Sequence, residues 1–251
     1  MTTEWLNILL LTALLVLVVV YFVSERKKQQ LISSVTKLTR GEPSERDLIY
    51  RLIRGGIPAN TIFHDLYVPT SNGYSQMDLV IPTKVGIFVI EVKDYSGWIF
   101  GDGLNDRWTQ VLAYGQEKHQ FYNPIKQNAR HIEVLRKSLP QFQNVPFYSI
   151  VVFYGSSEIR KLSNVPYDCR VVYPRDVVRL INNAITNLYP APYTDKWEVM
   201  RLLKQAVQNG DNSEIVAAHL SKAQMASRGK YKSTYNYVPR FVRRFQRFGR
   251  W

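Results

Sequence analysis

Residues 76–97, QMDLVIPTKVGIFVIEVKDYSG, constrain the fold more tightly than any other stretch of this chain. Asp78 lies in one short apolar strand; Glu91 and Lys93, separated by Val92, lie in the next. Side chains of a strand alternate between its faces, so Glu91 and Lys93 share one face and Val92 takes the other. A turn at Lys84-Val85-Gly86 folds the first strand onto the second and brings Asp78 beside Glu91. Two carboxylates and an ammonium then converge at the end of an otherwise apolar sheet. Burying them there is tolerable only if they pair, hydrogen-bond or hold a metal.

An acid in one strand and an acid-x-lysine in the next is an arrangement suited to metal-dependent phosphodiester cleavage. Asp78 and Glu91 supply the oxygen ligands that Mg²⁺ or Mn²⁺ prefers, and the backbone carbonyl of Val92 is a further ligand. The ion polarises the scissile phosphate and acidifies a bound water. Lys93 orients that water or offsets the charge that develops on the phosphate. A bare E-x-K in a strand is more often half of a cross-strand salt bridge. Here the run is too apolar for an exposed strand, and the adjoining strand carries Asp78.

The composition narrows the partners. The 251 residues carry a formal charge of +13, which favours a polyanionic partner, nucleic acid or anionic lipid. Cys169 is the single cysteine, which excludes an internal disulfide and a cysteine-based zinc cluster. His64, His119, His131 and His219 have no metal-ligand spacing and read as structural or surface residues.

Residues 5–23, WLNILLLTALLVLVVVYFV, contain no charge. A helix of that length spans about 27–28 Å, close to the ~30 Å hydrocarbon thickness of a bilayer. Trp5 and Tyr21-Phe22 are placed as interfacial anchors. Arg26, Lys27 and Lys28 follow the run, while Glu4 precedes it. The positive-inside rule therefore predicts a single-pass membrane protein with its N-terminus outside and the rest cytoplasmic. A signal peptide would need a basic leader and a small-x-small cleavage site, and neither is present. Residues 1–24 are thus expected to be a transmembrane anchor and 25–40 a juxtamembrane linker, whose basic residues can also meet anionic headgroups.

The folded domain is expected over 41–190. Leu48, Ile49, Leu52 and Ile53 make a helical stripe ended by Gly55-Gly56, with Glu42 and Glu45 in the first turn. Strands are predicted at 61–69, 76–82 and 85–93, and a further antiparallel strand at Trp98–Phe100 after the Ser96-Gly97 turn. The two aspartates of the 101–106 loop read as turn residues. Asn123 is a natural N-cap and Pro124 a favoured first residue for a helix to about Leu139. Gln127 then lies near that helix's start, one turn from His131. Strands at 146–155 and 168–174 precede a helix at 175–188. The succession argues an α/β fold, a mixed sheet flanked by helices.

Residues 191–251 read as a basic helical extension, with helices near 196–208 and 213–228. Its tail interleaves Arg240, Arg243, Arg244, Arg247 and Arg250 with Phe241, Phe245, Phe248 and Trp251. Such a segment can lie on an anionic membrane, stack on single-stranded nucleic acid, or fold back on its own domain.

The strings RGEPSERDLIYRL, QMDLVIPTKVGIFVIEVKDYSGWIFG and NPIKQN, with Trp108, resemble the nuclease-related domain of the PD-(D/E)xK restriction-endonuclease-like superfamily. The resemblance covers about residues 40–155. It implies a restriction-endonuclease-like fold with the family's helix acid at Glu45, Glu42 in reserve. It further implies metal-binding acids at Asp78 and Glu91, the lysine at Lys93 and the late glutamine at Gln127. The family's opening usually reads G-x-x-G-E, whereas here Pro43-Ser44 precedes Glu45. The activity implied is metal-dependent hydrolysis of nucleic acid. The competing reading is a catalytically silent, membrane-tethered scaffold that binds nucleic acid, lipid or protein. Nucleotide turnover is disfavoured because no P-loop glycine motif is present. No helix-turn-helix, zinc finger or RNA-binding aromatic motif selects DNA or RNA.

Overall fold

The computed structural model describes residues 2–230. Helix α1, Thr2–Ser33, contains the stretch Asn7–Ser33, whose most apolar 18-residue window has a mean hydropathy of 2.6 and no buried residue. It is long and apolar enough to cross a membrane. The helix does not stop at the end of the uncharged run. It continues through residues 25–33, where Glu25, Lys28 and Ile32 lie toward the domain at helical spacing. Helix α2, Pro43–Arg54, follows with a capping box: the Glu42 side chain accepts from the backbone three residues on, and Glu45 reaches back to the Glu42 N–H.

The central sheet contains β1 (Phe63–Thr70), β2 (Gly73–Thr83), β3 (Gly86–Asp94), β7 (Phe147–Tyr154) and β9 (Cys169–Val172), in the order β1-β2-β3-β7-β9. The first three strands are antiparallel, and β7 and β9 run parallel to β3. The β2–β3 turn closes at Thr83 opposite Gly86, and Gly86 has φ +144°, a backbone geometry that favours glycine. Helices α2 and α4 (Pro174–Asn187) cover one face, on which Leu48, Leu52, Val177 and Ile181 meet Phe88, Ile90 and Val92. Helices α3 (Pro124–Ser138) and α5 (Lys196–Asn209) cover the other, where Leu135, Val199 and Leu203 meet Ile87 and Val89. Helix α5 is thus part of the core. Helix α6, Ser213–Lys230, follows.

A second mixed sheet holds β4 (Gly97–Asp102), β5 (Arg107–Leu112), β6 (Glu117–Tyr122) and β8 (Ser157–Ser163), in the order β6-β5-β4-β8. This corrects the expectation that residues 98–100 extend the antiparallel run of the first sheet. Both edges of β3 are already taken by β2 and β7, so the chain must leave at Tyr95-Ser96. Gly97, at φ +77°, makes that corner, and a side chain there would collide with the Val111 carbonyl. The β5, β6 and β8 segments escape the sequence reading because their exposed faces carry many charged and polar residues, as in SEIRKLS.

Trp108 anchors the second sheet. Its ring stacks on Phe153 at 6.0 Å and meets Phe121 edge-on, and its Nε1 donates to the Asp102 carbonyl. The Asp102 carboxylate is a structural tie, as a turn aspartate should be: it accepts from the Leu104 N–H, the Ser163 hydroxyl and the Asn164 amide. These bonds, the Leu104 N–H first, hold the Asp102 carboxyl below its ordinary value. Its stabilising contribution is therefore present above the ordinary carboxylate pKa and is lost as pH falls through the lowered value. An Asp102→Asn variant should show a shallower loss of stability in acid, measured by unfolding midpoints between pH 6 and pH 2. Trp108→Ala should cost about 3–5 kcal/mol in denaturant unfolding; a change under about 1 kcal/mol would show that this sheet does not depend on the ring.

Candidate active site

The site begins where two strands part. The β2–β3 ladder stops at Leu79 opposite Ile90, and the Val92 N–H donates instead to Asp78 Oδ2 at 2.7 Å. The N–H and C=O of a strand residue point to the same edge, so the Val92 carbonyl opens on this gap. In the β1–β2 ladder the level of Asp65 and Asp78 is skipped, and Asp65 has φ +53°. The face alternation slips there: Phe63 and Leu66 on β1, like Met77 and Val80 on β2, are three residues apart yet share one core. That slip carries the Asp78 carboxylate to the strand edge, where it reaches the Val92 amide. Gln76 lies beside it, with its Nε2 donating to Asp65 Oδ1 at 3.1 Å and to Asp78 Oδ1 at 3.4 Å.

Across the gap, Glu91 and Lys93 lie on the sheet face covered by α3, as their spacing predicts. Lys93 Nζ donates to Glu91 Oε1 at 2.6 Å and to Gln127 Oε1 at 3.1 Å. Asn123 puts Gln127 in place: its side chain accepts from the Ile125 and Lys126 N–H groups and caps α3. Its amide nitrogen binds the Asp102, Gly103 and Asn105 carbonyls. Asn128, next along, donates to the Val89 carbonyl and the Ser149 hydroxyl, fastening α3 to β3 and β7. One turn on, His131 Nε2 lies 3.3 Å from Glu91 Oε2, and its Nδ1 is 2.9 Å from the Ser75 hydroxyl.

Glu45 is buried at the head of α2 and enters a chain of contacts that reaches the residues just after α1. Its Oε2 meets His64 Nε2 at 2.9 Å, and His64 Nδ1 meets the Thr36 hydroxyl at 2.9 Å. Arg40 makes a parallel tie: its Nε donates to Asp65 Oδ2 at 2.8 Å, and its Nη2 donates to the Asp65 and Val207 carbonyls. Gly41, at φ +67°, passes directly over the Glu45–His64 contact; any side chain there would collide with both groups.

The protonation pattern follows from burial and neighbours. Burial, then the charges of Glu91 and Glu45, push the Asp78 carboxyl well above the ordinary range. For Glu91, burial acts upward, but Lys93 and then His131 outweigh it and hold the carboxyl below its ordinary value. Burial likewise works against the Lys93 ammonium, yet Glu91, with Tyr95 and Asp78, raises its pKa. The metal-free site therefore favours one ion pair, Glu91–Lys93, beside a carboxyl inclined to keep its proton.

The donor set fits a hard divalent cation. Among the described residues, no three histidine, cysteine or acidic side chains gather into a complete cage. Mg²⁺ does not need one, because it is held by one or two carboxylates and keeps several waters. Asp78, Glu91 and the Val92 carbonyl meet that requirement, and Glu91 Oε2 is buried with no hydrogen-bond partner among the described residues. His131 Nε2 stands beside it, at 3.3 Å, and a buried carboxylate oxygen so weakly engaged is the feature that a ligand ion would satisfy.

Residues 40–154 match the family model of the nuclease-related domain, and this part of the chain is such a domain. An uncharacterized protein of Bacillus anthracis is 28% identical over 138 residues, which cover 51% of this chain and 63% of that protein. The chain thus spans somewhat less than two thirds of that relative's length. No solved structure matches.

All five catalytic candidates lie within one charge-coupled neighbourhood: Glu45 and Glu91 both act on Asp78, and Gln127 holds Lys93. Glu45, not Glu42, is the buried helix acid; Glu42 serves the capping box. The tail residues Arg240, Phe241, Arg243, Arg244, Phe245, Arg247, Phe248, Arg250 and Trp251 lie outside the described residues. His131, His64, Asp65, Arg40 and Thr36 were not singled out from sequence. Only the His131 position one turn after Gln127 pointed to its place; the others reach the site through the β1 slip and the end of α1. Gly41→Ala should cost at least the ~1–2 kcal/mol of a left-handed backbone, read by denaturant unfolding in detergent. Thr36→Val should cost about 1 kcal/mol through the lost hydroxyl partner of His64. Wild-type stability in both variants would remove the link between α1 and Glu45.

Proposed function

We propose that this chain is a membrane-anchored nuclease that hydrolyses phosphodiester bonds of nucleic acid with Mg²⁺ or Mn²⁺. The observation that carries the reading is the convergence of Asp78, Glu91, Lys93 and Gln127 at the gap between β2 and β3. The nuclease-related match over the same residues supports it. Asp78, Glu91 and the Val92 carbonyl would hold the ion, which when bound supplies a Lewis acid and an acidified water. Lys93, whose ammonium stands between Glu91 and Gln127, would offset charge on the phosphate and orient the attacking water. Gln127 fixes the ammonium through its amide oxygen, and His131 Nε2 stands 3.3 Å from the outer oxygen of Glu91. Glu45 and Gln76 bracket Asp78. The apolar α1 tethers this site to a membrane, with the domain on the cytoplasmic side by the charge asymmetry around residues 24–28. The basic tail adds nucleic-acid or lipid affinity.

The test uses the full chain in detergent micelles with duplex and single-stranded DNA and RNA, in Mg²⁺ or Mn²⁺ and then in EDTA. Cleavage should require the metal and should fall roughly 10²–10³-fold in Lys93→Ala and Asp78→Ala. Nucleic-acid binding that survives both changes, without cleavage under any condition, would replace this reading with a tethered scaffold.

A further inference from the structure

Helices α1 and α2 run antiparallel. Lys28 lies 3.5 Å from Asp47 and over the Tyr50 ring, whereas Thr36, eight residues later, reaches Glu45 through His64. Four residues back from Lys28, Ser24 ends the uncharged run; four residues on from Tyr50 is Arg54. Lys28 thus stands about 6 Å along α1 from the end of the uncharged run, and the α2 residues it meets, Asp47 and Tyr50, lie mid-helix on the way from Glu45 to Arg54. The headgroup layer on one side of a bilayer is about 5–7 Å thick. The far end of α2 therefore stands at headgroup height if α1 spans the membrane.

At that height is a cavity of about 410 Å³ between α2 and the start of α4, walled by Arg51, Arg54 and Arg175 with Asp47, Tyr50 and Val178. Its charges do not balance. Asp47 is shared by Arg51 at 2.6 Å, Lys28 at 3.5 Å and the Tyr154 hydroxyl at 3.1 Å. Asp176, beside Arg175 at 3.7 Å, pairs more closely with Arg179 at 2.9 Å. Arg54 leans on the Tyr50 ring, 5.9 Å from its centroid, rather than on a carboxylate. The arginine side chains at 51 and 175 are 45% and 80% exposed, so they can turn toward a ligand.

We propose that this notch binds the phosphate-bearing headgroup of an anionic phospholipid. Arginine forks match phosphate oxygens in pairs, and Tyr50 and Val178 offer an apolar shoulder to the glycerol end. A nucleic-acid strand is the poorer fit. The notch lies at the end of α2 away from Glu45, about 14 Å along the helix, on the side that the bilayer would cover. The inference rests on reading α1 as a membrane anchor. Its consequence is a fixed pose, in which α1 and the bound headgroup turn the Asp78–Glu91 gap away from the membrane.

Flotation of the full chain with neutral phosphatidylcholine vesicles tests the anchor by itself. Thermal unfolding in micelles then tests the notch, with phosphatidylglycerol, phosphatidylcholine, inorganic phosphate or a short oligonucleotide added separately. Phosphatidylglycerol alone should raise the midpoint, by about 3–5 °C. Arg54→Gln/Arg175→Gln should abolish the rise and keep the phosphatidylcholine midpoint. If that midpoint falls, Arg175→Glu, an exposed single change, carries the comparison and should at least halve the rise. An equal rise in wild type and variants, or with phosphatidylcholine, overturns the site. An equal rise with phosphate or oligonucleotide overturns the lipid assignment. Flotation with no phosphatidylglycerol effect removes the notch and leaves the anchor; failure to float removes both.

Discussion

The buried Glu91–Lys93 ion pair, with Asp78 beside it, is the interaction on which the rest of the arrangement turns. Taking such charges out of water costs several kcal/mol per ion, so they persist only where geometry supplies compensating partners. The fold supplies them from four directions. β2 brings Asp78, β3 brings the pair, α3 brings Gln127 and His131, and α2 brings Glu45. The sheet itself is modified to make room, because the β2–β3 ladder ends one step before the charges and the Asp65–Asp78 level is skipped. A regular hairpin would point Asp78 to a face and close the gap with backbone hydrogen bonds.

The segment that follows the apolar run of α1 is an integral part of this structure. Ile32 is buried, Thr36 holds His64, and Arg40 joins β1 to the carbonyl of Val207 at the end of α5. The chain leaving the apolar helix is therefore continuous with the support of Glu45. Thr36, His64 and Glu45 make a short chain of contacts from the end of α1 to the site. Helix α5 shares that path through Arg40, which is why the segment after residue 195 belongs energetically to the core on β1.

Much of the site was legible from local pattern. Period-two alternation put Glu91 and Lys93 on one face, and the Lys84-Val85 turn placed Asp78 near them. The Asn123-Pro124 helix start positioned Gln127, whereas the choice between Glu42 and Glu45 stayed open until the structure showed Glu42 in the capping box and Glu45 buried. The second sheet was less legible, since β5, β6 and β8 carry charges and polar groups on their exposed sides. Their strand identity depends on the Trp108 cluster that covers only one face. Arg40, Asp65 and Thr36 were hidden for a different reason: they are distant in sequence from Asp78, and a left-handed residue inside β1 has no local signature when it is aspartate.

Local chemistry thus settled the long apolar helix, the placement of the three charges on neighbouring strands and the helix starts, because hydrophobic period, turn residues and caps act over a few neighbouring residues. Tertiary packing alone decided which strand takes each edge of β3, where the ladder opens, and which residues stand behind the carboxylates. Those outcomes depend on contacts between segments tens of residues apart, and a buried charge finds its partners only once these segments meet. The stretch from Gln76 to Gly97 supplied the three charged groups; the slip at Asp65 and the coverage by α3 brought them into one candidate site.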